Sequence, residues 1–261
     1  MPDFEECFTG PDLDPTVWTA SYLPAWSSRA ASAATYAVTA GLHLSIPPEQ
    51  GLWCPDLHPT PLRVSAVQSG NRSGPVGSTD GQQPFRDGLV VREEQPTVLG
   101  FTPLRGEVAV TCRARIGPRS MFSAWLVGLE DRPERCGEIC LVELFGDALA
   151  TDAAGRPTAA YGCGVHAFRD PDLVEDFAAP RVALDVTRTH TYAVRWTGDG
   201  VAFLLDGDLV RTTAQSPAYP MQLILGVFDF PDRATAAQRD GREPVPTPEL
   251  VVERVRGRAL P

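Results

Sequence analysis

Short apolar runs broken by proline and glycine set the rhythm of this chain. Over residues 106–116 the alternation is regular: Val108, Val110 and Cys112 fall on one side, Thr111, Arg113 and Arg115 on the other. That is the period-two pattern of a strand with one face in a core. Comparable runs predict strands over residues 16–22, 35–46 with a turn at Ala40-Gly41, 62–68, 88–92, 121–129, 136–145, 161–168, 182–186, 190–197, 201–205, 221–230 and 250–255. Asp206-Gly207 reads as a two-residue hairpin loop and Gly198-Asp199-Gly200 as a second turn. No segment carries the 3.6-residue period of a long amphipathic helix. Many short strands with regular turn signals predict an all-β sandwich, and 261 residues suit a single domain spanning 1–261.

The gaps between the runs differ in kind. Residues 47–61 hold Pro47, Pro48, Pro55, Pro59 and Pro61 and must be loop. Residues 69–84, S-G-N-R-S-G-P-V-G-S-T-D-G-Q-Q-P, are rich enough in glycine and serine to predict a mobile loop, and long loops inside compact domains are often functional. Residues 231–248 read as irregular.

Composition narrows the function. With 33 acidic residues against 23 Lys plus Arg, the formal charge is −10, which gives no basis for holding a phosphate backbone. Nucleic acid is therefore excluded as a partner, and no apolar run approaches the roughly 20 residues of a membrane helix. The opening Met1-Pro2-Asp3-Phe4-Glu5-Glu6 has neither a basic n-region nor an apolar h-region. As it stands the sequence is expected to be cytoplasmic, or extracellular if a leader was removed, and monomeric. The six cysteines, Cys7, Cys54, Cys112, Cys136, Cys140 and Cys163, are widely spaced and lack a zinc-site spacing. Reduced thiols, mostly small buried hydrophobes, are expected, with no metal and no cofactor. His43, between Leu42 and Leu44, reads as an exposed strand residue and not as a ligand.

One strand breaks the pattern. Arg135 to Gly146 reads R-C-G-E-I-C-L-V-E-L-F-G and sets Glu138 and Glu143 among Ile139, Leu141, Val142, Leu144 and Phe145. Unpaired buried charge costs several kcal/mol or forces a pKa shift. Regular alternation puts Glu138 and Cys140 on one face and Glu143 on the other. One extra residue in a β-bulge at about Leu141 or Val142 resets the parity and brings both acids to one face. Their Cα atoms are then roughly four to five steps of about 3.3 Å apart, so the carboxyls can approach to the 5–5.5 Å or so of retaining glycosidases. The same pattern also fits two glutamates on a solvated sheet face, with Cys140 a small hydrophobe.

This strand resembles the active-site strand of glycoside hydrolase family 16, whose signature is Glu-x-Asp-x-x-Glu or a form one residue shorter. Other segments resemble the family in the same order: F-T-G-P-D-L-D-P-T-V-W at 8–18, F-S-A-W-L-V-G at 122–128, T-H-T-Y-A-V-R-W-T at 189–197 with F-L-L-D-G at 203–207, and P-E-L-V-V-E-R-V-R at 248–256. The resemblance implies a β-sandwich (jelly roll) of two curved antiparallel sheets with a concave sugar-binding cleft. It implies a retaining, endo-acting hydrolase of a β-linked oligo- or polysaccharide, with Glu138 as nucleophile and Glu143 as general acid/base. The family's middle Asp, which hydrogen-bonds the nucleophile, is here Cys140, a poor donor. Loss of that negative neighbour should ease ionisation of Glu138 while weakening its orientation. His166 resembles the family histidine that faces the cleft near the nucleophile, in reach of a sugar hydroxyl or Glu138. Trp125, by its family position, and Trp53, Trp26 and Phe228, as further aromatics, are candidates to stack on sugar faces. The second function that fits is a carbohydrate-binding protein on the same scaffold, its chemistry lost with the exchange to Cys140.

Overall fold

The computed structural model describes residues 3–260. Two antiparallel sheets hold most of the strand residues. The six-stranded sheet runs, in spatial order, Asp176–Ala178, Gly162–His166, Glu138–Phe145, Ser120–Gly128, Met221–Asp229 and Arg63–Gln68. The larger sheet runs Asp208–Thr213, Val201–Leu205, His190–Trp196, Gly106–Arg115, Glu249–Arg258, Leu42–Ser45 and Tyr36–Val38, with Phe4–Glu6 pairing alongside Glu249–Arg258.

Alternation decides what lies between the sheets. Val108, Val110, Cys112 and Ala114 of Gly106–Arg115 meet Phe122, Ala124 and Leu126 of Ser120–Gly128 and Ile139, Leu141, Val142 and Leu144 of the central strand in one buried cluster. This is the jelly-roll sandwich the apolar pattern predicts, with near-complete removal of branched side chains from water as its main stabilisation. His43 lies on the solvent side, 3.0 Å from Glu249.

The other face of the six-stranded sheet is concave and partly filled. Leu23, Ala25, Trp26, Trp53, Cys54, Leu89 and Val91 pack onto Val64, Ala66, Trp125, Val127 and Phe228 as a second buried cluster. This packing revises two expected strands. Residues 88–92 form no ladder, because Leu89 and Val91 spend their alternation on covering the sheet. Residues 16–22 contribute only isolated bridges at Thr19 and Ser21. Conversely Asp208–Thr213, an unassigned segment in the sequence pattern, completes the hairpin through Asp206-Gly207.

The glycine- and serine-rich segment 69–84 is pinned, contrary to its composition. Arg72 holds both Asp80 oxygens at 2.8 and 2.7 Å and donates to the Glu130 carbonyl at 2.6 Å. Trp26 Nε1 donates to the Gln82 carbonyl at 2.7 Å. Gly81 lies so close to the Trp26 ring that a Cβ there would sit 2.6 Å from it, a contact that excludes every side chain.

Candidate active site

Glu138–Phe145 lies at the middle of the concave sheet, and its register shows how its acids come together. Against Ser120–Gly128, Glu143 pairs with Ser123, Val142 with Ala124 and Cys140 with Trp125. Leu141 has no partner across that ladder and is the added residue of a β-bulge. Ile139, Leu141, Val142 and Leu144 face the core between the sheets, while Glu138 and Glu143 line one cleft of about 270 Å³ together with Trp125, Phe145, Phe228 and Phe230. The reading in which both glutamates sit on an open solvated face does not hold, since each is only partly accessible.

Burial governs the electrostatics. The Glu138 carboxyl is pushed up to about 8, first by desolvation, then by the negative charge of Glu143, with a hydrogen bond from Gln83 opposing. Glu143 is also raised by burial, while His166 and Arg233 pull it down. Enclosure is thus the larger influence on Glu138 in this cleft. Because each charge disfavours the other, the two acids hold and lose protons as a pair.

The remaining candidates separate. Trp125 and Phe228 lie in the cleft wall at 5% accessibility each. Trp53 lines an adjoining hollow of about 190 Å³, which shares Tyr22, Leu62 and Gln83 with the cleft and so continues it. Trp26 is fully buried under the Gly81 turn and is not available to stack on a sugar, which corrects its place among the candidates. Cys140 is 1% accessible, and burial, reinforced by both glutamates, keeps its thiol far above its ordinary pKa. It is a buried, neutral thiol on the strand between the two glutamates. His166 stands opposite Glu138 in the ladder, but its Nδ1 lies 2.6 Å from Glu175 Oε1 and its ring stacks on Phe177 at 4.6 Å. Its partner is therefore Glu175 and not Glu138. All six cysteines are free thiols, with Cys7 exposed and the others buried.

Two features of the site lie outside the motif. Gln83, from the pinned 69–84 loop, donates from Nε2 to Glu138 Oε2 at 3.1 Å and accepts from Trp125 Nε1 at 3.4 Å. Only the general expectation that a long loop carries function pointed toward it. At the Glu143 end, the Arg233 guanidinium lies 4.7 Å from the Phe145 ring centroid and 4.8 Å from that of Phe230, a cation–π arrangement in the segment that reads as irregular. Among the described residues no cluster of His, Cys, Asp and Glu is arranged to hold a metal ion, and no helix is long and apolar enough to cross a membrane.

The chain is similar in structure to the GlcNAcα1-4Gal releasing endo-β-galactosidase from Clostridium perfringens, with 25% identity and a TM-score of 0.78 over 97% of this chain. It spans 61% of that protein's length. The laminarinase catalytic domain from Thermotoga maritima superposes with a TM-score of 0.61 at 14% identity, covering 99% of this chain and 97% of that one. The endo-β-1,3-glucanase from Pyrococcus furiosus gives 0.59 at 16% identity, over 97% and 92% of the two chains. No curated protein sequence matches the chain. The family model for glycosyl hydrolases family 16 matches residues 104–242, more than half of the chain and the whole of the bulged strand with its neighbours. The protein belongs to glycosyl hydrolases family 16.

Proposed function

We propose that the protein cleaves an internal β-linkage of a glycan with retention of configuration, with Glu138 as nucleophile and Glu143 as general acid/base. The observation that carries this reading is the shared cleft of the two glutamates, reached across the bulge at Leu141. In the first step a Glu138 oxygen attacks the anomeric carbon while Glu143 gives its proton to the departing glycosidic oxygen. In the second, Glu143 takes a proton from water, whose oxygen displaces Glu138.

Proton placement constrains the cycle. Enclosure favours a proton on Glu138 in the empty cleft, whereas attack requires it on Glu143. The bound sugar supplies the shift: positive charge develops at the anomeric carbon beside Glu138 and favours its ionised form, and the glycosidic oxygen is an acceptor for the Glu143 proton. The Gln83 amide, a donor toward Glu138, acts in the same direction.

For substrate class, an internal β-galactoside is our first choice. The Clostridium perfringens endo-β-galactosidase shares more identity and a higher TM-score with this chain than the laminarinases do. Aromatic walls at Trp125 and Phe228 suit the C–H faces of sugar rings. The test is a panel of β-galactans, galactose-containing mucin-type glycans and β-1,3-glucans, assayed for new reducing ends. Oligosaccharide release by wild type and none by Glu138→Gln supports the proposal; binding without turnover on every member would favour the carbohydrate-binding reading.

A further inference from the structure

We propose that Gln83 is a positioning residue of the cleft, its side-chain amide fixing the orientation of the Glu138 carboxylate and favouring its charged form, a task that the thiol of Cys140 does not perform. This rests on Glu138 being the nucleophile.

Three separate fixings set the Gln83 amide. The Trp125 indole nitrogen is only a donor, so the amide oxygen must face it and the NH2 group must face Glu138. The Gln83 backbone lies in the left-handed region, at φ 44°, a conformation that a residue with a Cβ adopts only at a cost in free energy. That conformation is held by a hydrogen bond from the Gln83 N–H to Glu130. Glu130 is in turn buried, at 4% accessibility, and paired with Arg169 at 2.6 Å. Finally, Gly81 against Trp26 and the Gln82 carbonyl under the Trp26 indole bring the loop to the sheet at this residue. Backbone strain at a side chain that touches a candidate nucleophile is an arrangement that the surrounding loop must enforce.

The groups that face Glu138 explain why a neutral donor matters. Cys140 and Glu143 come from its own strand, His166 from the neighbouring strand, Glu175 from the loop just before Asp176–Ala178, and Tyr22 from the covering segment. His166 is engaged with Glu175. Among the described residues Gln83 is the side chain that donates a hydrogen bond to Glu138. An NH2 group offers only donors, so it stabilises the carboxylate over the acid.

The experiment is a carboxyl ¹³C NMR titration of Glu138 in the full chain, wild type against Gln83→Met and Gln83→Glu, with Glu138→Gln to assign the signal. Gln83→Met keeps the length of the side chain and removes the donor; Gln83→Glu keeps an acceptor for Trp125. A hydrogen bond to a charged group is worth roughly tenfold, so both variants should move the Glu138 titration upward by about one pH unit. On a turned-over glycan, kcat at neutral pH should fall about tenfold with KM within about twofold, and the acidic limb of kcat/KM should move up with the NMR titration. An unmoved Glu138 titration in either folded variant overturns the proposal. The NMR readout needs no turnover: a shifted titration in a protein that cleaves nothing keeps Gln83 as the orienting group and removes the hydrolase reading instead.

Discussion

At the scale of the residue, the chemistry depends on two acids held in a partly closed cleft. Glu143→Gln should lower kcat by about 10²- to 10⁴-fold on substrates with poor leaving groups, with much less loss on an activated aryl glycoside, whose departure needs no proton; kinetics on the two substrate types check this. Burial of Glu138 also has a stability consequence whose sign is fixed. Its folded pKa of about 8 lies above the ordinary carboxylate value near 4.3, so the native state binds the extra proton. The protein therefore loses stability as pH rises through the window from the lower value to the upper. Thermal melts across that window should show Glu138→Gln gaining on wild type as pH rises, with little difference at its acidic end. A constant difference would mean that Glu138 is ionised normally in the folded protein.

At the scale of the element, the bulge at Leu141 makes the strand serve core and cleft at once. Deleting Leu141 removes the added residue and leaves strict alternation, in which Glu138, Cys140 and Glu143 still share the cleft face. The variant should therefore unfold cooperatively, with a loss of about 2–5 kcal/mol from the missing core side chain, as should Leu144→Ala, which hollows the same layer; a deletion variant without a cooperative denaturation curve would contradict this register. The bulge was readable in the sequence because Glu138 and Glu143 are five positions apart in a run whose other members are apolar. The filling of the concave face was not. Leu89 and Val91 alternate as a strand would, yet pack onto a sheet instead of joining one, and period-two pattern does not separate those outcomes. Gln83 reaches Glu138 across 55 positions from a segment whose composition reads as mobile. Its anchors, Arg72, Asp80 and Glu130, are ordinary charged residues whose pairing only the fold reveals.

At the scale of the molecule, a net charge of −10 surrounds a cleft whose own acids are partly neutralised by protonation. Such a field disfavours approach of anionic glycans and leaves neutral ones unaffected. Hydrolysis of a neutral glycan should change less than about twofold on adding salt, while any hydrolysis of a sulfated or carboxylated analogue should speed up with ionic strength; a salt series on matched substrates checks this. The whole account rests on the sandwich bringing Glu138 and Glu143 to one anomeric carbon. The measurement that tests this most directly is peptide mapping of the enzyme after trapping with a 2-deoxy-2-fluoro β-glycosyl fluoride built on the best oligosaccharide substrate. The account predicts a single glycosyl ester, on Glu138. An active enzyme that carries no ester, or carries it on another residue, would contradict it.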